Sequence, residues 1–157
     1  MKKPKMVKTG IDERIVDLAE RTEHLKLAIW AADCAERVLP YFEREHSTDD
    51  RPRRAIEALR EWIRSGRFRM AEIRGTALAA HAAAREAGRD DAARSAARAT
   101  GQAVATAHAP RHAIAAAIYA ATAVRDATDS SDAGAAALEE RLWQYRHLIE
   151  LNEEVAN

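Results

Sequence analysis

The sequence predicts an all-α fold of about six to seven helices. Alanine supplies much of the apolar content, whereas aromatic residues make up only 5% of the chain. Alanine is the best helix former and a poor strand former. Apolar residues also recur at helical spacing through most of the 157 residues. A third observation is that three aspartates, each expected to open a helix, are spaced about 41 residues apart: Asp50, Asp91 and Asp132.

This period of about 41 residues predicts three stacked antiparallel helical hairpins in a solenoid-like arrangement. Two-helix solenoid repeats have periods near 40 residues, and short loops favour antiparallel neighbours. Residue identity between the three units is low, so a true repeat stays open. We expect a flexible basic tail over residues 1–10 and a single all-helical domain over residues 11–157.

The first two helices are predicted from Asp12 to about Arg21 and from an N-cap at Thr22 to about Glu45. Apolar residues cover more than one side of the second helix, so we expect it to be buried on most sides. Pro40 lies within this pattern and is predicted to kink the helix or to start a fresh turn, because proline cannot donate the helical hydrogen bond.

The later helices are delimited by polar caps and by glycine. They are predicted over about residues 51–64, 69–87, 91–107, 110–127 and 133–154. The predicted N-caps are Asp50, Asp90 or Asp91, and Asp132. Two helices are predicted to end at Gly66 and Gly88, and a new helix is predicted to begin at Pro110. The last helix is predicted to turn one apolar side inward, formed by Leu138, Leu142, Trp143, Tyr145 and Ile149.

The stretch from Ala92 to Ala123 is predicted to form the centre of the helical pack. It is rich in small residues and nearly free of carboxylates. Alanine and Gly101 allow neighbouring helix backbones to approach closely. Three polar side chains in this stretch, Gln102, His108 and His112, have no obvious reason to face solvent, which makes them candidate site residues.

Charge and cysteine content exclude several classes of protein. Lysine plus arginine and aspartate plus glutamate each number 25, giving zero net charge, which disfavours general nucleic-acid binding. Cys34 is the only cysteine, so a disulfide-stapled secreted fold is excluded. Neither a signal peptide nor a membrane span is recognisable. We therefore expect a cytoplasmic protein without nucleic-acid or membrane partners.

His108 and His112 form an H-x-x-x-H pair, a spacing that can hold a metal on one helix face. Ala109 stands where the zinc-protease pattern has glutamate, and Pro110 separates the two histidines. His81, on an alanine-lined helix, is a possible third ligand. We favour structural roles for all three and predict no metal or cofactor. A ligand-binding or partner-binding pocket and a metal site are the alternatives.

Gln102 lies beside Gly101, where a tight helix crossing would oblige its amide to find partners. Thr106, four residues on, is expected to bond back to a carbonyl one turn earlier. Asp33 and Glu36 form a carboxylate pair on the second helix. We expect Asp33 to form a salt bridge with Arg37 or with an arginine of another helix, rather than to act as an acid or base.

Asp50 and Arg51 belong to a dense charged junction between a loop and a helix, which also contains Arg53 and Arg54. A solvated helix cap is the favoured interpretation. The alternative is a recognition edge, because arginine at a helix start binds carboxylates and phosphates well. The sequence has no glycine-rich phosphate loop, no G-x-S-x-G elbow and no C-x-x-C pair, so nucleotide hydrolysis and serine or cysteine acyl transfer have no support.

Four segments in order carry a family resemblance: LAIWAADCAERVLPYFE, DDRPRRAIEALREW, AAHAAAREA and AARATGQAVATAHAPRHAIAAAIYAA. Together they resemble the all-helical putative immunity-protein family associated with bacterial polymorphic toxin systems. The resemblance covers roughly residues 25–121. The matching positions include all the candidate site residues, which are Asp33, Asp50, Arg51, His81, Gln102, His108 and His112.

The resemblance implies a small cytoplasmic antidote that binds and neutralises a cognate toxin, and it implies no catalytic residues. The alternative function is a small-molecule- or metal-binding helical protein, which includes an enzyme, that uses His81, His108 and His112. A scaffold module with a solenoid groove is a weaker third hypothesis. Homodimerisation is compatible with each of them, since alanine-rich faces pack closely.

Overall fold

The computed structural model describes residues 3–154, and within that range the chain forms seven α-helices and no strand. The all-α class is therefore confirmed. None of the described helices is long and apolar enough to cross a membrane. The helices are α1 (Asp12–Glu20), α2 (His24–Glu43), α3 (Arg51–Ser65), α4 (Met70–Glu86), α5 (Asp91–Ala105), α6 (His112–Ala127) and α7 (Ala133–Glu153).

The centre of the molecule is α5, which packs against α2, α3, α4 and α6. Its buried residues are almost all small, and they include Ala99, Gly101 and Ala103. Small side chains let four neighbouring helices approach one backbone, and α6 contributes a second alanine-rich face. The prediction that the stretch from Ala92 to Ala123 forms the centre is confirmed.

The solenoid-like stack of three hairpins is not confirmed. Consecutive helices α3 and α4 pack together, as do α5 and α6. However, α2 packs against both α5 and α6, so the core extends across the hairpins instead of only between neighbouring units. The third 41-residue unit contributes only α7 within the described residues. Apolar residues on several sides of α2 explain this, because one helix can then cover several others at once.

Some of the predicted caps are formed and others are not. Asp90 caps α5 by accepting a hydrogen bond from the Ala93 backbone N–H, and Gly66 and Gly88 end helices with positive φ angles of 70° and 65°. The prediction for Thr22 is wrong: Glu23 occupies the N-cap position of α2, and the Thr22 hydroxyl donates back to the Leu18 carbonyl.

Asp50 and Asp132 occupy N-cap positions, but neither side chain makes a capping hydrogen bond. Asp50 instead accepts a hydrogen bond from Arg54. The restart at Pro110 is displaced by two residues, since α6 begins at His112 and Pro110 lies in the preceding turn. Pro40 lies in the last part of α2, which continues to Glu43.

The predicted apolar side of α7 is confirmed in part, since Leu142, Trp143 and Tyr145 are half-buried against the core. Leu138 is 40% exposed, whereas Arg141 and Gln144 are completely buried. Arg141 donates to Asp12 and to the Gln144 side chain, and Gln144 donates to the Ala117 carbonyl. Asp12 lies on α1 and Ala117 on α6, so each of these two buried side chains has a partner distant in sequence. Among the described residues, the Nη2 atom of Arg141 is buried without a hydrogen-bond partner. The full set of buried α7 residues is Ala137, Glu140, Arg141, Gln144, Leu148 and Leu151.

The N-terminal segment lies along α6. Val7 is buried, and its backbone N–H donates to the Thr122 hydroxyl at 3.1 Å. Lys3 forms ion pairs with Asp91 and Asp126. These contacts locate residues 3–10 on the helical domain, while the flexibility expected for residues 1–10 stays a prediction. Residues 1 and 2 of that predicted tail lie outside the described residues.

Candidate partner-binding site

His81 fills the crossing between α4 and α5. Its ring lies over Gly101, where an added Cβ would be 2.7 Å from His81 Nε2. Arg98 Nη1 donates to His81 Nδ1 at 2.8 Å. A guanidinium group can only donate, so Nδ1 is the acceptor and the neutral imidazole carries its hydrogen on Nε2. His81 is thus held as a packing and hydrogen-bonding residue.

The surroundings of His81 keep it neutral. Burial and the neighbouring charges of Arg98 and Arg85 lower the pKa of His81 to about 4. Removing a cation from water is unfavourable, and two nearby guanidinium groups add repulsion. A histidine with this pKa is uncharged at neutral pH.

Gln102 and His112 bind each other. His112 Nδ1 donates to Gln102 Oε1 at 2.8 Å, which joins α5 to the first residue of α6. Burial, followed by the charges of Arg111 and His108, lowers the pKa of His112. The Thr106 hydroxyl donates to the Gln102 carbonyl at 3.3 Å, as predicted from their spacing.

His108 differs from the other two histidines because it is exposed in the turn that follows α5. Its ring stacks on Phe68, with 6.5 Å between ring centroids. Within residues 3–154, no group of three or more histidine, cysteine, aspartate or glutamate side chains is arranged to hold a metal ion. His81 and His112 each have a protein partner, so the geometry favours their structural interpretation.

Asp33 joins three helices through its contacts with Arg60 and His147. Arg60 of α3 donates to Asp33 at 2.9 Å and to Glu36 at 3.1 Å, and His147 of α7 lies 2.7 Å from Asp33. The predicted partner from another helix is therefore Arg60. Arg37 is not the partner of Asp33, because its guanidinium is bound elsewhere.

Arg37 connects α2 to α7. It donates two hydrogen bonds to Glu140, at 2.8 and 2.9 Å, and its guanidinium stacks 3.8 Å from the centre of the Trp143 ring. The Trp143 ring also stacks on His147, with 4.9 Å between the two ring centroids. These contacts hold α7 against α2, so Arg37 and Glu140 have a structural role.

Asp50 and Arg51 lie at the start of α3, as predicted, and the arginines there are already paired. Arg51 binds Asp49 and Glu86, and Arg54 binds Asp50. Arg53 makes two hydrogen bonds to Glu43. Because carboxylates of the same chain compensate these charges, the geometry favours a solvated, internally paired helix start over a recognition edge, although Asp50 makes no capping hydrogen bond.

The most exposed apolar surface lies elsewhere, at the start of α4. Within residues 3–154 five large hydrophobic side chains are exposed, and three of them belong to one short segment: Phe68 at 44%, Met70 at 42% and Leu78 at 61%. Part of this segment borders a pocket of about 330 Å³. We call this surface the α4 patch, formed by Phe68, Met70, Ile73, Arg74, Ala77, Leu78, Ala105 and His108.

The sequence analysis identified His108 but missed the rest of the α4 patch. The helical spacing of Ile73, Ala80 and Ala84 defines the inner face of α4, and Leu78 lies outside it. A leucine off the inner face and a phenylalanine between two arginines, Arg67 and Arg69, were the available signals. Neither signal shows by itself that these side chains form one surface, because His108 comes from the turn after α5, about 30 residues further along the chain.

The comparison with family models gives one match. Residues 17–151 match the family model described as Imm-5 like putative immunity protein. Searches of curated proteins and of solved structures return no match. The matched range extends from α1 into the last turns of α7 and so includes the histidine contacts, the Asp33 ion pairs and the α4 patch. The chain therefore belongs to the Imm-5 like putative immunity protein family.

Proposed function

We propose that this protein is an antidote that binds a cognate protein toxin in the bacterial cytoplasm and neutralises it. The observation that carries the proposal is the family match over residues 17–151. Binding alone is sufficient for this role, so no catalytic group of the protein is required. The exposed apolar side chains of the α4 patch support the proposal, because clustered apolar exposure marks interaction surfaces.

The alternative of a metal or small-molecule site built from His81, His108 and His112 has less support. His81 is bound to Arg98 and His112 to Gln102, while His108 faces solvent. The Nε2 atom of His81 packs over Gly101, and within residues 3–154 these histidines do not belong to a group of three or more side chains arranged to hold a metal ion. Homodimerisation stays a prediction, and the size-exclusion measurement described next would also detect it.

The experiment begins with capture of the toxin from the native host while the toxin gene is expressed. The captured protein is then produced in a heterologous bacterium, alone and together with this protein. We expect growth arrest by the toxin alone, restored growth on co-expression, and a stable complex of the two purified proteins on size exclusion. An elemental analysis of the purified antidote tests the metal alternative in the same preparation.

Two results would contradict the proposal. If no captured protein arrests growth in a manner relieved by co-expression, the antidote role is wrong. If growth is restored but the purified proteins do not associate, neutralisation does not proceed by binding.

A further inference from the structure

The outer face of α4 has a composition that the fold does not require. Ala71, Arg74, Gly75 and Leu78 recur at helical spacing, and all four are exposed. We call these four residues the outer face of α4. Leu78 is the most exposed of the large hydrophobic side chains in the described part of the chain, at 61%. An apolar side chain in that position gains little for the free protein, since burial is what stabilises it.

Gly75 lies in the middle of this helix without a packing reason. A Cβ added at residue 75 would meet no atom within 4 Å, so the fold leaves room for a side chain there. Glycine is the poorest helix former after proline, and its use in a helix interior lowers the stability of the free protein. A glycine on an exposed face does, however, allow the backbone of another molecule to approach closely.

The surroundings of the outer face are positively charged. Arg67, Arg69 and Arg74 are exposed, and none of them forms an ion pair with a carboxylate of the described residues. Arg64 already holds the nearby Glu61. Over residues 67–78 these three arginines are opposed by one acidic residue, Glu72. A partner that covers this surface without repulsion therefore presents carboxylates.

We infer that the α4 patch and the outer face of α4 bind the toxin, and that the toxin segment received there is apolar at its centre and acidic at its edges. An apolar side chain of the toxin packs beside Leu78 and enters the neighbouring pocket. The toxin backbone approaches α4 at Gly75, and toxin carboxylates pair with Arg67, Arg69 and Arg74. This inference rests on the proposed function and names the chemistry of its partner.

The test uses the full-length protein and an inactivated copy of the toxin identified by the growth experiment. Dissociation constants are measured by calorimetry for Gly75→Ala and Leu78→Ala. The chain offers a matched control for each. Gly134 lies in α7 and also has open space at its Cβ position, and Leu138 of α7 is 40% exposed. Thermal unfolding of each free variant is recorded beside its affinity.

Gly75→Ala is expected to change stability and binding in opposite directions. Alanine raises the unfolding temperature of the free protein, because it is the better helix former. The added methyl group keeps the toxin backbone away and weakens binding about tenfold. Leu78→Ala weakens binding by a similar factor with little change in unfolding temperature. Gly134→Ala and Leu138→Ala leave the dissociation constant within about twofold of the wild-type value.

The charge of the partner is tested with Arg69→Glu and Arg74→Glu. Both variants are expected to bind about tenfold more weakly at low salt, and the loss shrinks as salt screens the new repulsion. Arg14→Glu, on the exposed side of α1, is the control for a change in net charge alone. Tighter binding by the glutamate variants would show a basic toxin surface and overturn the inference.

The outcomes separate this inference from the proposed function. If the wild-type protein binds the toxin and the α4 variants bind it as well as the controls do, this inference is wrong while the antidote role stands. If the controls weaken binding as much as the α4 variants do, the toxin does not select this surface and the inference is likewise overturned. Failure of the wild-type protein to bind or neutralise any toxin refutes both.

Discussion

The imidazole of His81 lies so close to Gly101 that a methyl group at residue 101 would approach its Nε2 atom to 2.7 Å and its Cε1 atom to 2.8 Å. A side chain at residue 101 would therefore have to displace the His81 ring where α4 crosses α5. Arg98 holds the ring from its other nitrogen, at 2.8 Å. Because α5 packs against four other helices, a displacement at this crossing affects the centre of the domain.

Gly101→Ala is therefore expected to lower the free energy of unfolding by about 1–2 kcal/mol, since overpacking outweighs the better helix propensity of alanine. Chemical denaturation measures the loss. In a His81→Ala background the space above residue 101 is open, and Gly101→Ala should then stabilise the protein by about 0.5–1 kcal/mol. Equal effects in the two backgrounds would show that the close approach to His81 is not the cause.

The depressed pKa of His81 predicts a loss of stability in mild acid. Its pKa is about 4 in the folded protein and near 6.5 when unfolded. Between these values the unfolded chain binds a proton that the folded protein does not, so the free energy of unfolding falls as pH decreases from about 6.5 to 4. Below pH 4 both states are protonated and this contribution no longer changes.

Urea unfolding of the wild type and of His81→Gln across this pH range checks the prediction. Other carboxylates and histidines titrate in both proteins, so the difference between the two curves isolates His81. The difference should shrink steadily toward acid pH, and an NMR titration should give a His81 pKa of about 4. A constant difference would contradict the assignment.

The Arg37 ion pair should contribute more to stability than an exposed pair of similar geometry. Glu140 is only 8% exposed, and Arg37 supplies both of its hydrogen bonds as well as the stacking on Trp143. Arg37→Ala leaves the Glu140 carboxylate without its partner, and we expect a loss of about 1–2 kcal/mol. Denaturation measurements on variants of both pairs provide the comparison.

Arg53→Ala is the control, because Arg53 also makes two hydrogen bonds to one carboxylate, Glu43, but does so at the surface. Its loss should stay below about 1 kcal/mol. Similar losses for the two variants would mean that the burial of Glu140 does not matter.

The contact between Arg141 and Asp12 predicts a non-additive pair of substitutions. Arg141 is completely buried on α7, and Asp12 of α1 accepts its Nε–H at 3.0 Å. Asp12→Asn leaves a buried guanidinium without its counter-charge and should cost about 3 kcal/mol. Adding Arg141→Met removes that charge, so the double variant should recover part of the loss. Unfolding by denaturant is measured for Asp12→Asn, for Arg141→Met and for the double variant, and additive losses would refute the pairing.

Local signals in the sequence were sufficient to predict where the helices lie and where most of them end. Gly66 and Gly88 end α3 and α4 with positive φ, and Asp90 caps α5, because each of these effects acts within a few residues. The alanine-rich stretch likewise identified the central helices, since side-chain size limits how closely backbones approach. The sequence predicted a close helix crossing at Gly101, but it did not predict that His81 is the side chain packed against this glycine.

The sequence by itself thus determined the all-α class, the helix boundaries to within a few residues, and, through the resemblance of its motifs, the family. Only the tertiary structure decided which face of α7 is buried. Arg141 and Gln144 can be buried because they donate hydrogen bonds to Asp12 of α1 and to the Ala117 carbonyl of α6. It also decided that Phe68, Leu78 and His108 share one surface. Hydrophobic periodicity acts within a single helix, whereas these outcomes depend on hydrogen bonds and packing between residues far apart in the chain.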